Sequence, residues 1–543
     1  MQAQAAANPL EPDLGPGIAM LRAGRFADAV AYGRGLLQTA SGNPRLFAYL
    51  ADACQAAGEL PEALGWIDQA IAVDSGARHK IKKAWLLSAS LRRDEIPELT
   101  GRILGQAVED DRPGLVFWQV ARLNYLHNRL ADAIECYERA LRHEDRPDWR
   151  YQLALARFYA GDPSGAESDL ETLLAGSPQA GTAIYLRSVL RRQEPGRDHC
   201  EDIRARLARG FQKQENEAAA LYALAKELED LGRHAESFEA LEAGARKKRD
   251  SIRYDVAGVT AGLREICEAM DAEAMAAAGA GHAEPGAIFI VGMPRTGTTL
   301  VQRMLMQSGR LADAGELLDF GFHLTGAVEQ VRRREPSLSP TRAALRIDYE
   351  ALGRRYMQGA RQMAGGSETF IDKLPTNFMY CGMIHKALPE AKIIHLSRDP
   401  LDTCYAVFKT LFFSAYEFSY DQRELADYYL AYRDMMRHWH EVMPGAILDV
   451  EYEALVSNPE RESQRIYEWC GLEWKPEAVA VPDDRMAFST ASAAQVREPV
   501  HARSVNSSRR HVERLGPLIE RLELGGIPCR QTGTRSTDSG VAP

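Results

Sequence analysis

The segment Ala287-Ile-Phe-Ile-Val-Gly-Met-Pro-Arg-Thr-Gly-Thr-Thr299 decides how the second half of this chain folds. Its first part, Ala287–Val291, is a short β-branched apolar run of the kind that forms a strand buried in a parallel sheet. Gly292 and Gly297 then stand at the spacing of a nucleotide phosphate loop, GxxxxGK[ST], and an amphipathic helix is expected over Leu300–Gln307. Strand, glycine loop and helix in that order aim backbone N–H groups and a helix dipole at a phosphate. Thr298 stands where the nucleotide loop carries lysine, and Arg295 sits inside the loop instead.

Downstream, the pattern alternates strands with helices. Ala391-Lys-Ile-Ile-His-Leu-Ser397 reads as a second buried strand and ends in Arg398, not in the acidic residue that holds magnesium in nucleoside triphosphatases. Glu368–Asp372 reads as a strand before Lys373, and Ala446–Val450 as another before Tyr452. A donor carrying one 5′-phosphosulfate and one 3′-phosphate needs cationic clamps at two places and no metal. These residues supply them.

Three landmarks in order, the Pro-Arg-Thr-Gly-Thr-Thr loop, Asp372-Lys-Leu-Pro-Thr-Asn377 and Leu396-Ser-Arg-Asp-Pro400, resemble the sulfotransferases that use 3′-phosphoadenosine 5′-phosphosulfate (PAPS). The likeness is nearest to the tyrosylprotein sulfotransferase branch and its bacterial relatives fused to tetratricopeptide repeats. It implies that Arg295, Thr296, Gly297, Thr298 and Thr299 hold the 5′-phosphosulfate. Arg398 then grips the 3′-phosphate, and Tyr452 lies near the nucleotide. Glu316, in Gly315-Glu-Leu-Leu, matches the branch's catalytic base, and Lys373 and Arg295 would steady charge on the leaving phosphate. The family's helper serine eight residues after the arginine is Ala406 here, with Thr403 or Ser397 as substitutes. Ser489, Ser492 and Arg497 match the region that closes over the cofactor, and no role is carried past Val500.

The N-terminal half repeats itself. Gly24-Arg-Phe-Ala-Asp-Ala29 is echoed at Gly58–Ala63, Asn128–Ala133, Gly161–Ala166 and Gly232–Ser237, with a period of about 34 residues. Small residues twelve positions before the end of the match (Ala51, Ala121, Ala154, Ala225) allow close helix approach. Others seven positions after it (Ala70, Ala140, Gly244, with Leu173) serve packing on the next unit. The pattern resembles the tetratricopeptide repeat family and implies six or seven helix pairs, with degenerate units near 78–112 and 181–215. Such arrays bind partner segments along a concave face, so the array either takes a protein or peptide partner or only scaffolds or dimerises the enzyme.

The expected architecture is an α-solenoid over 14–250, a helix and linker over 251–286, an α/β P-loop-like sulfotransferase domain with a mostly parallel sheet over 287–527, and a disordered tail over 528–543. A net charge of −10 over 543 residues argues against a nucleic-acid binder. No apolar run approaches the roughly 20 residues of a membrane span, and the N-terminus lacks the pattern of a secretory signal. Eight scattered cysteines without a CxxC pair suit reduced thiols in the cytoplasm. A P-loop kinase or NTPase, or a non-catalytic repeat adaptor, are the alternative readings.

Overall fold

The computed structural model describes residues 11–277, 281–481 and 498–529. Packing separates two compact units, Met1–Gly165 and Ala166–Pro543. Serine and arginine candidates at 489, 492 and 497 lie outside the described residues, as does the expected tail from 530 onward.

Fourteen α-helices lie between Gly15 and Asp250 among the described residues, in the order of seven antiparallel-type pairs. The small residues fall where the repeat needs them: Ala51, Ala70, Ala121 and Ala140 are fully buried inside the first unit. Leu46, Leu50 and Ile67 fill one of its cores, and Phe117, Tyr137 and Trp149 fill another. Between paired helices the chain reverses through a left-handed residue. Gly24, Gly58 and Gly161 sit at φ of 73°, 81° and 90°, and Asn128 takes the same turn at 56°. Leu91 does so too, at φ 57°, in the degenerate stretch 78–112. The missing glycine is why that unit is faint in the sequence, although its helices form.

The second unit contains both the later helices and the sheet. Of its helices, those bearing on the site are α1 (Gly181–Val189), α2 (Gln214–Asp230), α3 (His234–Asp250), α4 (Thr298–Met306), α5 (Pro400–Phe408) and α6 (Gln422–Val442). Five strands form one sheet: β1 (Ala287–Gly292), β2 (Ala312–Gly315), β3 (Phe370–Asp372), β4 (Lys392–Ser397) and β5 (Ile447–Glu451). Their order is β2-β3-β1-β4-β5 and every pairing is parallel. The sheet is therefore fully parallel, as buried β-branched strands joined by helical crossovers demand. β1 is buried along its whole length, with Ile288 and Ile290 in a core shared with Val301, Ile371, Ile394 and Val450.

One strand, β2, escapes sequence reading. Ala312-Asp-Ala-Gly315 has no β-branched residue and pairs only at the sheet edge. Pairing of Gly315 with Asp372 carries the chain out of the sheet beside β3.

Repeat helices α2 and α3 pack directly on the strand–helix unit that follows β4. Tyr222 donates its hydroxyl to the Phe408 carbonyl at 3.2 Å, and Lys409 pairs with Glu229 at 2.8 Å. Phe238 stacks with Tyr405 at 6.3 Å and with His511 at 4.9 Å. Farther along, Arg249 grips both Glu424 oxygens on α6, at 2.7 and 2.8 Å. Close packing at Gly244, where a Cβ would sit 3.0 Å from the Tyr222 ring, holds α2 and α3 together.

Gly232, between α2 and α3, is at φ 75° with open space where a Cβ would go. Gly232→Ala should therefore cost about 1 kcal/mol from backbone conformation alone, with no clash. A shift of the urea midpoint of the full chain measures it.

Candidate functional site

The carboxyl ends of β1, β3 and β4 converge where the strand order reverses around β1, the place where open parallel sheets take ligands. Out of β1 comes the glycine loop. At Gly292, φ is 146° and an added Cβ would lie 2.5 Å from the Leu396 carbonyl, so only glycine lets the loop leave this close to β4. Arg295 follows at φ 69°, a left-handed conformation that costs a non-glycine residue on the order of 1 kcal/mol or more. Thr296 secures the turn by donating to the Met293 carbonyl at 2.8 Å. Gly297 is the N-cap of α4 at φ 104°, and a Cβ there would strike the Tyr452 ring at 2.7 Å. Among the described residues no side chain caps this helix, and no acidic residue occupies its first turn, so its positive end suits an anion. Thr298 and Thr299 are buried at its start.

Tyr432 on α6 braces the loop from behind. Its hydroxyl accepts the Met293 N–H and hydrogen-bonds His395 on β4, whose other ring nitrogen meets Asp449 on β5. His440 approaches the same carboxylate at 3.1 Å. This His395–His440–Asp449 group has the spacing of metal ligands, as do Cys54–Glu59–Glu62 and Asp198–Cys200–Glu227. None of the three includes a residue of the glycine loop.

Arg398 leaves β4 on the far side of β1. It is 8% exposed, its guanidinium lies 4.8 Å from the Tyr452 ring centre, and it donates to the carbonyls of Arg295 (3.2 Å) and Ser504 (2.5 Å). Its Nε finds no hydrogen-bond partner among the described residues. Asp402, 1% exposed, stands 3.7 Å away. That carboxylate also takes the Asn506 and Ser508 N–H groups at 2.6 and 2.9 Å. Asp402 thus ties the arginine to the segment Ser504–Ser508. A buried cation paired at 3.7 Å, with one N–H unused, is a site short of an anion. Arg295 lies close by: burial holds its guanidinium below the ordinary value, Tyr185 and Tyr452 oppose this, and Arg398 adds to it.

Glu316 and Lys373 are brought together by the β2–β3 register. Gly315 faces Asp372, so the next residue on each strand emerges side by side at the sheet's carboxyl edge, 57 positions apart in the chain. The Lys373 ammonium contacts the Glu316 carboxylate directly. Their environments differ: the lysine side chain is 3% exposed and the glutamate 37%. Asp372, fully buried, accepts the Tyr356 hydroxyl at 2.7 Å, Asn377 at 3.2 Å and the Leu317 N–H at 3.3 Å. Burial pushes its carboxyl up to about 7 against those hydrogen bonds. It anchors the residue after Glu316 to the strand before Lys373.

All nine expected residues therefore lie along one sheet edge or its loop: Arg295, Thr296, Gly297, Thr298, Thr299, Glu316, Lys373, Arg398 and Tyr452. Thr403 is fully buried and donates to the Arg398 carbonyl at 3.3 Å, so its hydroxyl supports the arginine's backbone, while Ser397 keeps partial exposure at the end of β4. Sequence reasoning stopped at Val500 and missed Ser504–Ser508, along with Asp402. Asp402 had one available signal, its place four residues after Arg398 on a helix; the other contacts bridge more than a hundred positions.

Residues 285–476 match the sulfotransferase family, and residues 20–86 match the tetratricopeptide repeat. The chain is thus a helical, tetratricopeptide-like region followed by a sulfotransferase-family domain with a five-stranded parallel sheet. It is similar to an uncharacterized protein of Aquifex aeolicus (strain VF5), 30% identical over 58% of this chain and 42% of that protein. It is also similar to nodulation protein NoeE of Sinorhizobium fredii (strain NBRC 101917 / NGR234), 32% identical over 23% of this chain and 30% of that one. The chain spans less than half the length of these curated relatives. Among solved structures, the sulfotransferase domain of the Synechococcus PCC 7002 olefin synthase aligns with 42% of this chain and 89% of its own, at 18% identity and a TM-score of 0.31.

His511 follows the Ser504–Ser508 segment, its ring tilted 5.0 Å from Tyr405, and burial lowers it to about 4. Because the folded value lies below the unfolded one, the folded state binds fewer protons between pH 6.5 and 4. Stability present above pH 6.5 is therefore lost as pH falls through that window. His511→Phe should flatten the decline of the thermal midpoint between pH 6.5 and 4; an unchanged slope would assign the acid sensitivity elsewhere.

Proposed function

We propose that this protein transfers the sulfuryl group of PAPS to an acceptor hydroxyl, without a metal. The observation that carries this reading is Arg398: a buried guanidinium whose Nε has no partner among the described residues, on the carboxyl edge of β4, next to a glycine loop and a helix N-terminus. Two anion sites on one strand edge suit a nucleotide with phosphates at both 3′ and 5′ ends. In a kinase or triphosphatase, an acid would be needed after β4 to hold magnesium; this chain has Arg398 there.

In this reading, Glu316 accepts the acceptor's proton as its oxygen bonds to sulfur. The bond from sulfur to the 5′-phosphate oxygen breaks, and adenosine 3′,5′-bisphosphate departs with the electron pair. Lys373 and Arg295 meet the charge that develops on the departing oxygen. The Glu316–Lys373 contact supports these roles, since it holds the two groups side by side at the strand ends. The half-exposed glutamate faces outward, where an acceptor arrives, and the buried lysine faces inward. Protein tyrosine is the acceptor that the likeness to the tyrosylprotein branch favours, and the repeats would hold the peptide that bears it. Scattered cysteines without a CxxC pair support a reducing cytoplasm as the compartment of this reaction.

Arg398→Ala should weaken adenosine 3′,5′-bisphosphate by about 2 to 4 kcal/mol while barely changing a nucleotide without the 3′-phosphate. Titrating both nucleotides decides it: equal losses would mean that Arg398 supports the fold or the adenosine.

Lys373→Ala should lower kcat by about a hundredfold or more, with little change in nucleotide affinity. Unchanged kcat with weaker PAPS binding would move the lysine to ground-state binding.

A further inference from the structure

Away from the glycine loop, the other face of the sheet gathers three side chains of a different chemistry. Ile394 and Leu396 both join the core around Ile288 and Ile290, so the alternation of a strand turns His395, between them, to the opposite face. In the β4–β5 register His395 stands beside Asp449, and residues paired in this way share a face. Helix α6 covers that face. Its Tyr432 and His440 are eight positions apart, about two turns, and so fall on one stripe of the helix.

Each of the three elements contributes one group. His395 Nδ1 lies 2.6 Å from Asp449 Oδ1, and His440 Nε2 lies 3.1 Å from Asp449 Oδ2. One donor atom from each residue falls within 4.8 Å of the other two. No lysine or arginine among the described residues pairs with this carboxylate; Arg465 is spent on the Asp449 backbone carbonyl at 2.7 Å and on Glu462 at 2.8 Å. Two imidazoles and one carboxylate are a donor set for zinc and similar divalent ions, and a poor one for magnesium or calcium. Ligand atoms stand about 3.4 Å apart across a tetrahedral zinc ion, so the half-exposed Asp449 has to withdraw by less than about 1 Å.

The surroundings fit such a site. His395 is 6% exposed, and its Nε2 bonds the Tyr432 hydroxyl, the kind of partner that fixes the ring of a metal-ligating histidine through its second nitrogen. His440 and Asp449 keep side-chain exposures of 34% and 51%, which leaves a side open for an ion and a water molecule. The other two groups with ligand spacing lack this freedom. Arg34 already holds Glu59 and Glu62, and Glu227 already accepts the Ser188 hydroxyl and the His199 backbone N–H.

We propose that His395, His440 and Asp449 bind one zinc-type divalent ion, with water in the fourth position, and that this ion pins α6 to the β4–β5 side of the sheet. Its ligands are none of the residues assigned to sulfuryl transfer, which stays metal-independent, and the proposal does not rest on the PAPS reading.

The test uses the full chain without added histidines, stripped by a chelator and titrated with zinc chloride by calorimetry. Wild type should take up one zinc per chain with a raised thermal midpoint, and magnesium should do neither. Cobalt(II) in place of zinc should give visible absorption bands. His440→Ala, at a partly exposed position, should keep the wild-type circular dichroism in chelator, weaken zinc by about a hundredfold or more and lose the cobalt bands. Asp449→Asn should weaken zinc likewise. His438→Ala, on the same helix but bonded to the Met270 carbonyl, should leave zinc affinity unchanged. If wild type takes up no zinc, if His440→Ala binds it as tightly as wild type, or if His438→Ala reproduces the loss, the three groups are only a hydrogen-bonded cluster and the proposal is overturned.

Discussion

Parallel pairing of β1 between β3 and β4 is the constraint on which the site depends. It puts three strand ends at one edge: the glycine loop leaves β1, Lys373 leaves β3 and Arg398 leaves β4. A one-residue slip of β3 would turn every side chain on it to the other face and separate Lys373 from Glu316. The apolar alternation of Ile288, Ile290, Ile371 and Ile394 prevents that slip, since each faces the same core. Chemistry at the edge is thus positioned by burial in the sheet's interior.

Burial also sets the electrostatics. Arg398 and Lys373 are almost fully removed from water, and a buried cation is stable only with partners. Among the described residues, the arginine has Asp402 at 3.7 Å and two carbonyls, and the lysine is ion-paired with Glu316. An anionic ligand would complete both sets, so its binding energy recovers part of the cost of desolvating these groups during folding. The same low-dielectric setting makes each contact stronger than it would be in water.

The repeat helices take part in this arrangement through α5. Lys409 and Tyr405 hold Glu229, Phe238 packs on Tyr405, and His511 fills the space between repeat helix α3 and the segment that reaches Arg398. Aromatic packing across these elements joins the repeat helices to the strand end that carries the arginine. A mutation in α2 or α3 would therefore act on the strand end that carries Arg398 through α5.

Sequence alone determined the two architectures and the chemistry of the loop. Glycine spacing, β-branched runs and a 34-residue period are local signals, and the backbone obeys them: left-handed turns at Gly24 and Gly58, a buried β1, a helix beginning at Thr298. It was silent where local propensity is weak, as in β2, whose small residues carry no strand signal, and at Leu91, which takes a turn that glycine normally fills. Tertiary structure alone decided what depends on long-range contact. The Glu316–Lys373 pair needs the β2–β3 register, the anchoring of Arg398 needs Ser504 and Asp402, and the bond of Tyr185 to Leu411 needs α1 packed against the chain after α5. A linear sequence records which groups exist, but their distances follow from the burial of apolar surface across the whole unit, which brings residues more than a hundred positions apart within a hydrogen bond.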